Sequence, residues 1–194
     1  YGINFADEAL AKDLALPVRR WGGNGTTRYN WQIDTASHTS DWFFENIAKE
    51  HSNVALLPVG SAADQFVEQD RRTGTRSLLT IPLIGWTPKS RELSCGFSVA
   101  KCGPQQAVDP WQTDCGNGVD LNGELIRGND PTDTSVPIDE RFVEAWLQHL
   151  IGRFGRAAEG GVAYYNLDNE PMLWHETHRD VHPDPVSYDE LRDL

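Results

Sequence analysis

The sequence predicts an α/β fold built on a parallel sheet, either a barrel or an open sheet, and three observations carry that prediction. First, apolar runs alternate with amphipathic stretches in the order strand, helix, strand, helix, strand, long loop, helix, strand and the start of a helix. Such alternation is the pattern of β–α–β units, whose strands run parallel. Second, Gly161-Val162-Ala163-Tyr164-Tyr165-Asn166-Leu167 has the composition of a strand buried on both faces. Third, that run breaks into Asp168-Asn169-Glu170-Pro171, and Pro171 has no N–H with which to continue a ladder. Strand tips bearing a carboxylate and a carboxamide are where such sheets do chemistry. A lone Asn-Glu-Pro is more often an ordinary polar turn, so the rest of the chain has to decide.

Taken in order, Tyr1–Phe5 reads as a short strand, and Ala9, Leu10 and Leu14 mark a weakly amphipathic helix. Pro17-Val18-Arg19-Arg20-Trp21-Gly22-Gly23-Asn24 is a second strand, ending on two arginines and a glycine pair. The glycines permit a tight turn and close approach to a ligand. No Lys-Ser/Thr follows, so this is not a phosphate loop. Tyr29-Asn30-Trp31 lies in a polar loop. Ser40 is placed to cap a helix running to about His51, with Trp42, Phe43, Phe44 and Ile47 on its apolar face. Val54-Ala55-Leu56-Leu57-Pro58 is a short apolar run. A further helix spans Ser61 to Thr73, with Ser61 and Asp64 at its start and Gly74 after its end. Ser77 to Trp86 is another buried strand, interrupted by Pro82.

Residues 87–137 lose all periodicity, which marks a functional excursion or a mobile loop. All three cysteines fall there: Cys95, Cys102 and Cys115. Their spacing does not fit a zinc ribbon; in a secreted protein one disulfide with one thiol left over is expected. Asp114, Asn117, Asp120, Asn122 and Glu124 offer oxygens but not the spacing of a calcium loop, and a solvated turn is preferred. Asp139 then caps the clearest helix, Glu140 to about Gly155. Its stripe of Phe142, Val143, Trp146, Leu147, Leu150, Ile151 and Phe154 reads as core. Ser187 and Glu190 stand at capping-box spacing and open a last helix. The chain starts at Tyr1 inside an apolar run and stops within that helix, so a piece of a longer chain is expected.

Bulk properties narrow the function. The 194 residues suffice for one core. Lys and Arg number 17 against 29 Asp and Glu, a net charge of −12 that repels phosphate backbones and excludes nucleic acid as the expected partner. No apolar run is long enough to cross a membrane. Seven tryptophans exceed what a small core needs and suit a cleft that stacks flat apolar faces.

A retaining glycosidase uses two carboxyls about 5–5.5 Å apart, one as acid/base and one as nucleophile. Glu170 at a strand tip suits the acid/base role, and Asn169 beside it can donate to a sugar 2-hydroxyl. His175-Glu176-Thr177-His178 is not the zinc-protease motif, because its histidines are three apart rather than four. His178 and His182 are four apart, but Pro183 and Pro185 oppose a helix there.

Arg19-Arg20-Trp21-Gly22-Gly23-Asn24, Tyr29-Asn30-Trp31 and Leu167-Asp168-Asn169-Glu170-Pro171-Met172-Leu173-Trp174-His175 together resemble glycoside hydrolase family 44 over essentially the whole chain. The resemblance implies a (β/α)8 TIM barrel with an attached β-sandwich, and retaining endo-β-1,4-glucanase action with xyloglucan activity. It implies that residues 1–194 are the N-terminal part of the barrel, about the first four β/α units, with 87–137 as an insertion and the sandwich absent. The acid/base glutamate maps onto Glu170, and the nucleophile has no counterpart before Leu194. Some family members bind structural calcium, whose ligands cannot be assigned here; catalysis itself requires no cofactor. The family often has serine where this chain has Trp21.

The expected substrate-binding residues are Arg20, Asn24, Trp31, Trp86 and Trp174, with Trp146 as core. The expected protein is a secreted monomer acting on β-glucan polysaccharide, with neither nucleic acid nor membrane as a partner. Two other readings compete: a zinc hydrolase using His175, His178 and His182, and a non-catalytic carbohydrate-binding module.

Overall fold

The computed structural model describes residues 2–50 and 53–194. Strands β1 (Gly2–Asn4), β2 (Val18–Trp21), β5 (Arg76–Ile81) and β9 (Tyr164–Leu167) form one sheet in the order β1-β2-β5-β9. All three pairings are parallel, and each new strand adds on the same side in chain order. Helices α1 (Glu8–Asp13), α3 (Ala62–Thr73) and α5 (Glu140–Phe154) each fall between two consecutive parallel strands. The expected alternation is therefore present, with Tyr1 and His51, the outer ends of two expected elements, lying outside the described residues.

Local chemistry sets the boundaries of the long helices. Ser61 Oγ accepts the Asp64 N–H at 3.3 Å to open α3, and Gly74 closes it at φ +73°, where a side chain would strain. Asp139 caps α5 by accepting the Arg141 and Phe142 amides. Both helices lay an apolar face on the sheet. Phe66 and Val67 of α3 and Trp146, Leu150 and Phe154 of α5 pack with Trp21, Leu79, Ile81 and Val162 in one core. Trp146 is fully buried, as its helical spacing requires. Removing such a ring costs about 3–5 kcal/mol.

Pleating separates the two arginines of β2. Arg19 is fully buried and pairs through Nε with Asp70 at 2.7 Å, while its Nη atoms donate to the Ala6 and Phe66 carbonyls. Burial nonetheless holds the Asp70 carboxyl up at about 6, against the Ser77 hydroxyl and the Arg19 charge that favour its ionised form. Arg20, on the opposite face, is free to reach the tip of β9.

Three expectations need correction. No helix spans residues 40–50: Thr39–Trp42 form one 3-10 turn, Phe43 and Phe44 are both left-handed at φ +47° and +53°, and the chain becomes strand β4 (Glu45–Ala48). Trp42, Phe43 and Ile47 imitate a helical period, but Phe44 leaves that line to pack on Phe97 at 4.8 Å between ring centres. The strand from Ser77 stops at Ile81, immediately before Pro82, and Trp86 begins a separate strand, β6 (Trp86–Pro88). Finally, β9 is not buried on both faces. It pairs only with β5, and Tyr164, Tyr165 and Leu167 are 41%, 39% and 66% exposed.

The excursion is structured. β4 pairs antiparallel with β3 (Thr35–Ser37) and with β7 (Ser94–Cys95), and β6 pairs antiparallel with β8 (Ser135–Pro137). Cys95 and Cys115 form a disulfide, leaving Cys102, on the short helix α4 (Val99–Cys102), as a free thiol. One crosslink with one thiol over was the sequence expectation. A fully buried Arg28 ties the region back to the main body: its Nη1 contacts both Asp180 oxygens at 2.9 and 2.7 Å, and its Nη2 donates to Ser135. The last elements are α6 (Trp174–Thr177) and α7 (Tyr188–Asp193), the latter opened by the expected Ser187–Glu190 capping box.

Candidate active site

A parallel sheet delivers all its strand ends with the same polarity to one edge, and here that edge gathers polar residues. The turn after β2 is Gly22-Gly23-Asn24, which starts the one-turn helix α2 (Asn24–Thr27). Glycine is required at Gly23, and at Gly22 it leaves room for the Arg20 side chain. A Cβ on Gly22 would lie 2.3 Å from the Arg20 guanidinium, and Gly23 sits at φ +99°. The bare backbone lets the Arg20 side chain fold over the turn and reach across to β9.

There Arg20 Nη2 donates to Asn169 Oδ1 at 2.6 Å. Asn169 Nδ2 in turn donates to Asn24 Oδ1 and to Glu170 Oε2, each at 3.2 Å. A guanidinium only donates, so it fixes which end of the Asn169 amide is oxygen. Both protons of the amide nitrogen are then committed, one to each neighbour. Glu170 remains exposed, held from one side and open on the other. Asn24 continues the chain by donating to Asp41 Oδ2 at 2.9 Å.

Asp168 anchors this tip, and the sequence reading gave it no role. The residue is 2% exposed. Its Oδ1 accepts from the Thr27 hydroxyl and the Asn169 amide, both at 2.6 Å; its Oδ2 accepts from the Leu83 and Ile84 amides at 2.6 and 3.2 Å. Burial pushes its carboxyl up to about 6, and the four donors pull the other way. Asp168 and Glu170 both adopt left-handed backbone, φ +56° and +48°. Such conformations cost of order 1–3 kcal/mol each and persist where surrounding contacts over-determine them. The Asp168 contacts, with its own N–H on the Ile81 carbonyl, supply that determination and set the direction in which Glu170 leaves the sheet.

Four predicted site residues, Arg20, Asn24, Asn169 and Glu170, are thus brought together. The tryptophans are not. Trp31 is 6% exposed and packs with Phe142 and His149, and Trp174 is 0% exposed against Ile84 and Val181, so neither offers a face to a ligand. Position just after a strand end does not decide exposure when the following loop folds back over the ring. Trp86 is half-buried on β6, packed near Trp174. The exposed aromatic surface lies elsewhere. Trp42 and Trp111, 36% and 74% exposed, stack with centroids 5.8 Å apart and planes 25° apart. Asp109 Oδ2 accepts the Trp42 indole N–H at 2.7 Å and fixes the pair. Trp111 was invisible from sequence because it lies in the aperiodic excursion, and Trp42 because it was assigned to a helix.

Among the described residues no three His, Cys, Asp or Glu side chains cluster to hold an ion. His178 is fully buried, and burial together with the Arg28 charge holds its ring well below the usual histidine range. His182 is engaged with Glu190 at 2.8 Å. The zinc-hydrolase reading of His175, His178 and His182 therefore lacks its ligand set among the described residues.

The model of glycoside hydrolase family 44 matches residues 35–194. The chain belongs to that family. Its fold is similar to that of CelM2, described as a bifunctional glucanase-xylanase from a metagenome library, with TM-score 0.93 and 42% identity, covering 100% of this chain and 37% of that one. A Paenibacillus polymyxa xyloglucanase of family 44 superposes with TM-score 0.68 at 29% identity, covering 100% of this chain and 36% of the other. In sequence the chain is 27% identical to endoglucanase A of Paenibacillus lautus, over 98% of its own length and 26% of that protein. It thus spans about a quarter of that relative and a little over a third of the two solved structures.

Proposed function

We propose that Glu170 is the acid/base of a retaining endo-β-1,4-glucanase or xyloglucanase, and that the nucleophilic carboxylate lies outside these 194 residues. The observation that carries this reading is an exposed Glu170 at a parallel-strand tip, held by an Asn169 whose amide is locked between Arg20 and Asn24. Asp168 is excluded as the partner carboxylate because its oxygens face backbone amides and Thr27, and Asp41 is engaged by Asn24. The strand order β1-β2-β5-β9 never reverses, as in the first units of a (β/α)8 barrel, which supports reading this chain as the N-terminal part of such a barrel.

In the first half-reaction Glu170 gives its proton to the departing glycosidic oxygen while the second carboxylate bonds to the anomeric carbon. Glu170, now a carboxylate, then takes a proton from the water that releases the sugar. Asn169 exchanges one of its two hydrogen bonds for the 2-hydroxyl of the sugar, and Arg20 keeps the amide in register. The exposed Trp42–Trp111 pair supplies the apolar platform that Trp31 and Trp174 cannot, since a pyranose presents a C–H face to an indole. A Cys95–Cys115 disulfide suits an oxidising compartment and supports secretion. The working protein is a monomer that needs no cofactor.

The test is reducing-end release from carboxymethylcellulose and xyloglucan by this chain and by a longer family 44 enzyme containing it. The longer enzyme should turn over and the 194-residue chain should not. Turnover by the chain alone would place both carboxylates within it and overturn the assignment.

A further inference from the structure

The stacked Trp42–Trp111 pair rests on two buried carboxyl groups that face one another. Glu45, the first residue of β4, is 1% exposed, and Asp109, in the loop that carries Trp111, is 2% exposed. Their side chains share a hydrogen bond. An ionised carboxylate only accepts, so one of the two holds a proton.

The donors around them decide which. Asp109 Oδ1 accepts the Trp111 and Gln112 amides at 2.6 and 3.2 Å, and its Oδ2 accepts the Trp42 indole N–H at 2.7 Å. Burial pushes the Asp109 carboxyl up, but the Trp111 amide, Glu45, the Trp42 indole and the Gln112 amide outweigh it and hold Asp109 below the usual aspartate range. Glu45 is the opposite case. Its Oε1 is buried with no donor among the described residues, which suits the carbonyl oxygen of a neutral carboxyl and not a carboxylate. Burial first, then the Asp109 hydrogen bond and charge, pushes Glu45 up to about 7. Charged groups on the surrounding elements are engaged elsewhere: Asp41 with Asn24, Asp114 with Ser98, Lys101 with Asp133, and Arg179 over the Phe44 and Phe97 rings. His38 gives its backbone N–H to the Glu45 carbonyl, and β7 sets Cys95, closed in its disulfide, opposite Glu45. Asp109 is thus the charge that Glu45 meets.

We propose that protonated Glu45 is the positioning residue of the aromatic platform: its O–H donates to Asp109, Asp109 fixes Trp42 and the Trp111 loop, and loss of that proton sets two buried carboxylates against each other and loosens the stack. Phe43 and Phe44, which join Trp42 to Glu45, are both left-handed, a backbone state held only by the contacts around it. On the other side of Trp42, Asp41 bonds Asn24 of the Glu170 cluster, so one turn carries both the platform and a tie to the acid/base. The folded chain holds the Glu45 proton more tightly than the unfolded one, so the locked form is complete at low pH and is lost as pH rises through about 7. That the platform serves glucan rests on the glycosidase reading; the proton link itself does not.

The experiment combines fluorine NMR of 5-fluorotryptophan in the longer family 44 enzyme containing this chain with kcat and KM on xyloglucan, from about pH 5.5 to about pH 8.5. Trp42→Phe and Trp111→Phe assign the two signals. In the wild type both should move together with a midpoint near pH 7. Glu45→Gln, whose amide donates to Asp109 at every pH, should abolish the step and keep KM at its low-pH value. Glu45→Ala should raise KM about two- to tenfold at every pH with kcat nearly unchanged, the worth of one aromatic contact. Taking each KM as a ratio to that of Glu45→Gln at the same pH removes what Glu170 contributes. A step that survives Glu45→Gln, no step in the wild type, or a Glu45→Gln enzyme as impaired as Glu45→Ala would each overturn the proposal. Were the longer enzyme inactive on glucan, the fluorine step would still decide whether Glu45 holds the pair, so the two readings fail separately.

Discussion

Replacing Asp168 with asparagine tests how the tip of β9 is held. The carboxyl is 2% exposed and its proton affinity is raised from the ordinary 3.8 to about 6, because burial outweighs its four donors. Each tenfold change in proton affinity is worth about 1.4 kcal/mol, so ionised Asp168 costs the folded state about 3 kcal/mol. The sign follows from linkage. The folded chain holds the proton more tightly than the unfolded one, so stability falls as pH rises from about 4 to about 6 and stays lower above that. An amide cannot ionise and escapes this loss. Urea unfolding of wild type and Asp168→Asn at several pH values between about 4 and 7.5 isolates the effect, because other groups titrate in both proteins. Near pH 4 the variant should be the less stable, because its amide nitrogen meets two donors that an Asp168 oxygen accepts, and the difference should then move toward the variant by about 2–3 kcal/mol by pH 7. A difference that does not change with pH, or a variant that loses ground as pH rises, would show that the donors outweigh burial and that Asp168 is held as a comfortable anion.

Other perturbations probe the frame around the site. Arg28→Ala strands a buried Asp180 and should cost about 3–5 kcal/mol in urea unfolding, whereas Arg28→Met with Asp180→Leu should recover most of it; a loss below about 1 kcal/mol in the single variant would refute the tie. Replacing Cys95 and Cys115 with serine frees a loop whose ends are 20 residues apart, and chain entropy puts the loss at about 3 kcal/mol. Unchanged unfolding midpoints would mean that the excursion unfolds independently of the sheet. Trp111→Ala in the longer enzyme should raise the KM for glucan severalfold with folding intact, since packing a pyranose C–H face on an exposed ring is worth about 0.5–1.5 kcal/mol; an unchanged KM would remove the pair from the substrate path.

What could be read from sequence was what local rules control. The α3 and α5 boundaries were legible because Ser61, Gly74 and Asp139 are capping signals, and the parallel order because strand and helix periods alternate. Glu170 and Asn169 were legible because the apolar run of β9 breaks into Asp168-Asn169-Glu170-Pro171, where a proline cannot continue a ladder. The misreadings share a cause: they depend on partners far along the chain. Trp31 lies in the turn beyond α2 and Trp174 opens α6, and α5 and the loop at Val181 cover them. Trp42–Phe44 carried a helical spacing that left-handed backbone at Phe43 and Phe44 overrides, and β3 then captures the residues that follow. Asp168 looked like turn polarity because its four donors come from three separate segments.

The central claim is that Glu170 is the proton donor to the leaving group, and chemical rescue of Glu170→Ala in the longer enzyme tests it most directly. Loss of a general acid should cost roughly 10²–10⁴-fold in turnover of β-glucan. Aryl glycosides whose leaving group needs no protonation should lose far less in the first step, and added azide should restore turnover by giving a β-glycosyl azide. That product, with retained configuration, is the result the account predicts. Rescue giving the α-azide, no rescue at all, or equal losses for aryl and sugar leaving groups would contradict it and move the acid elsewhere in the site.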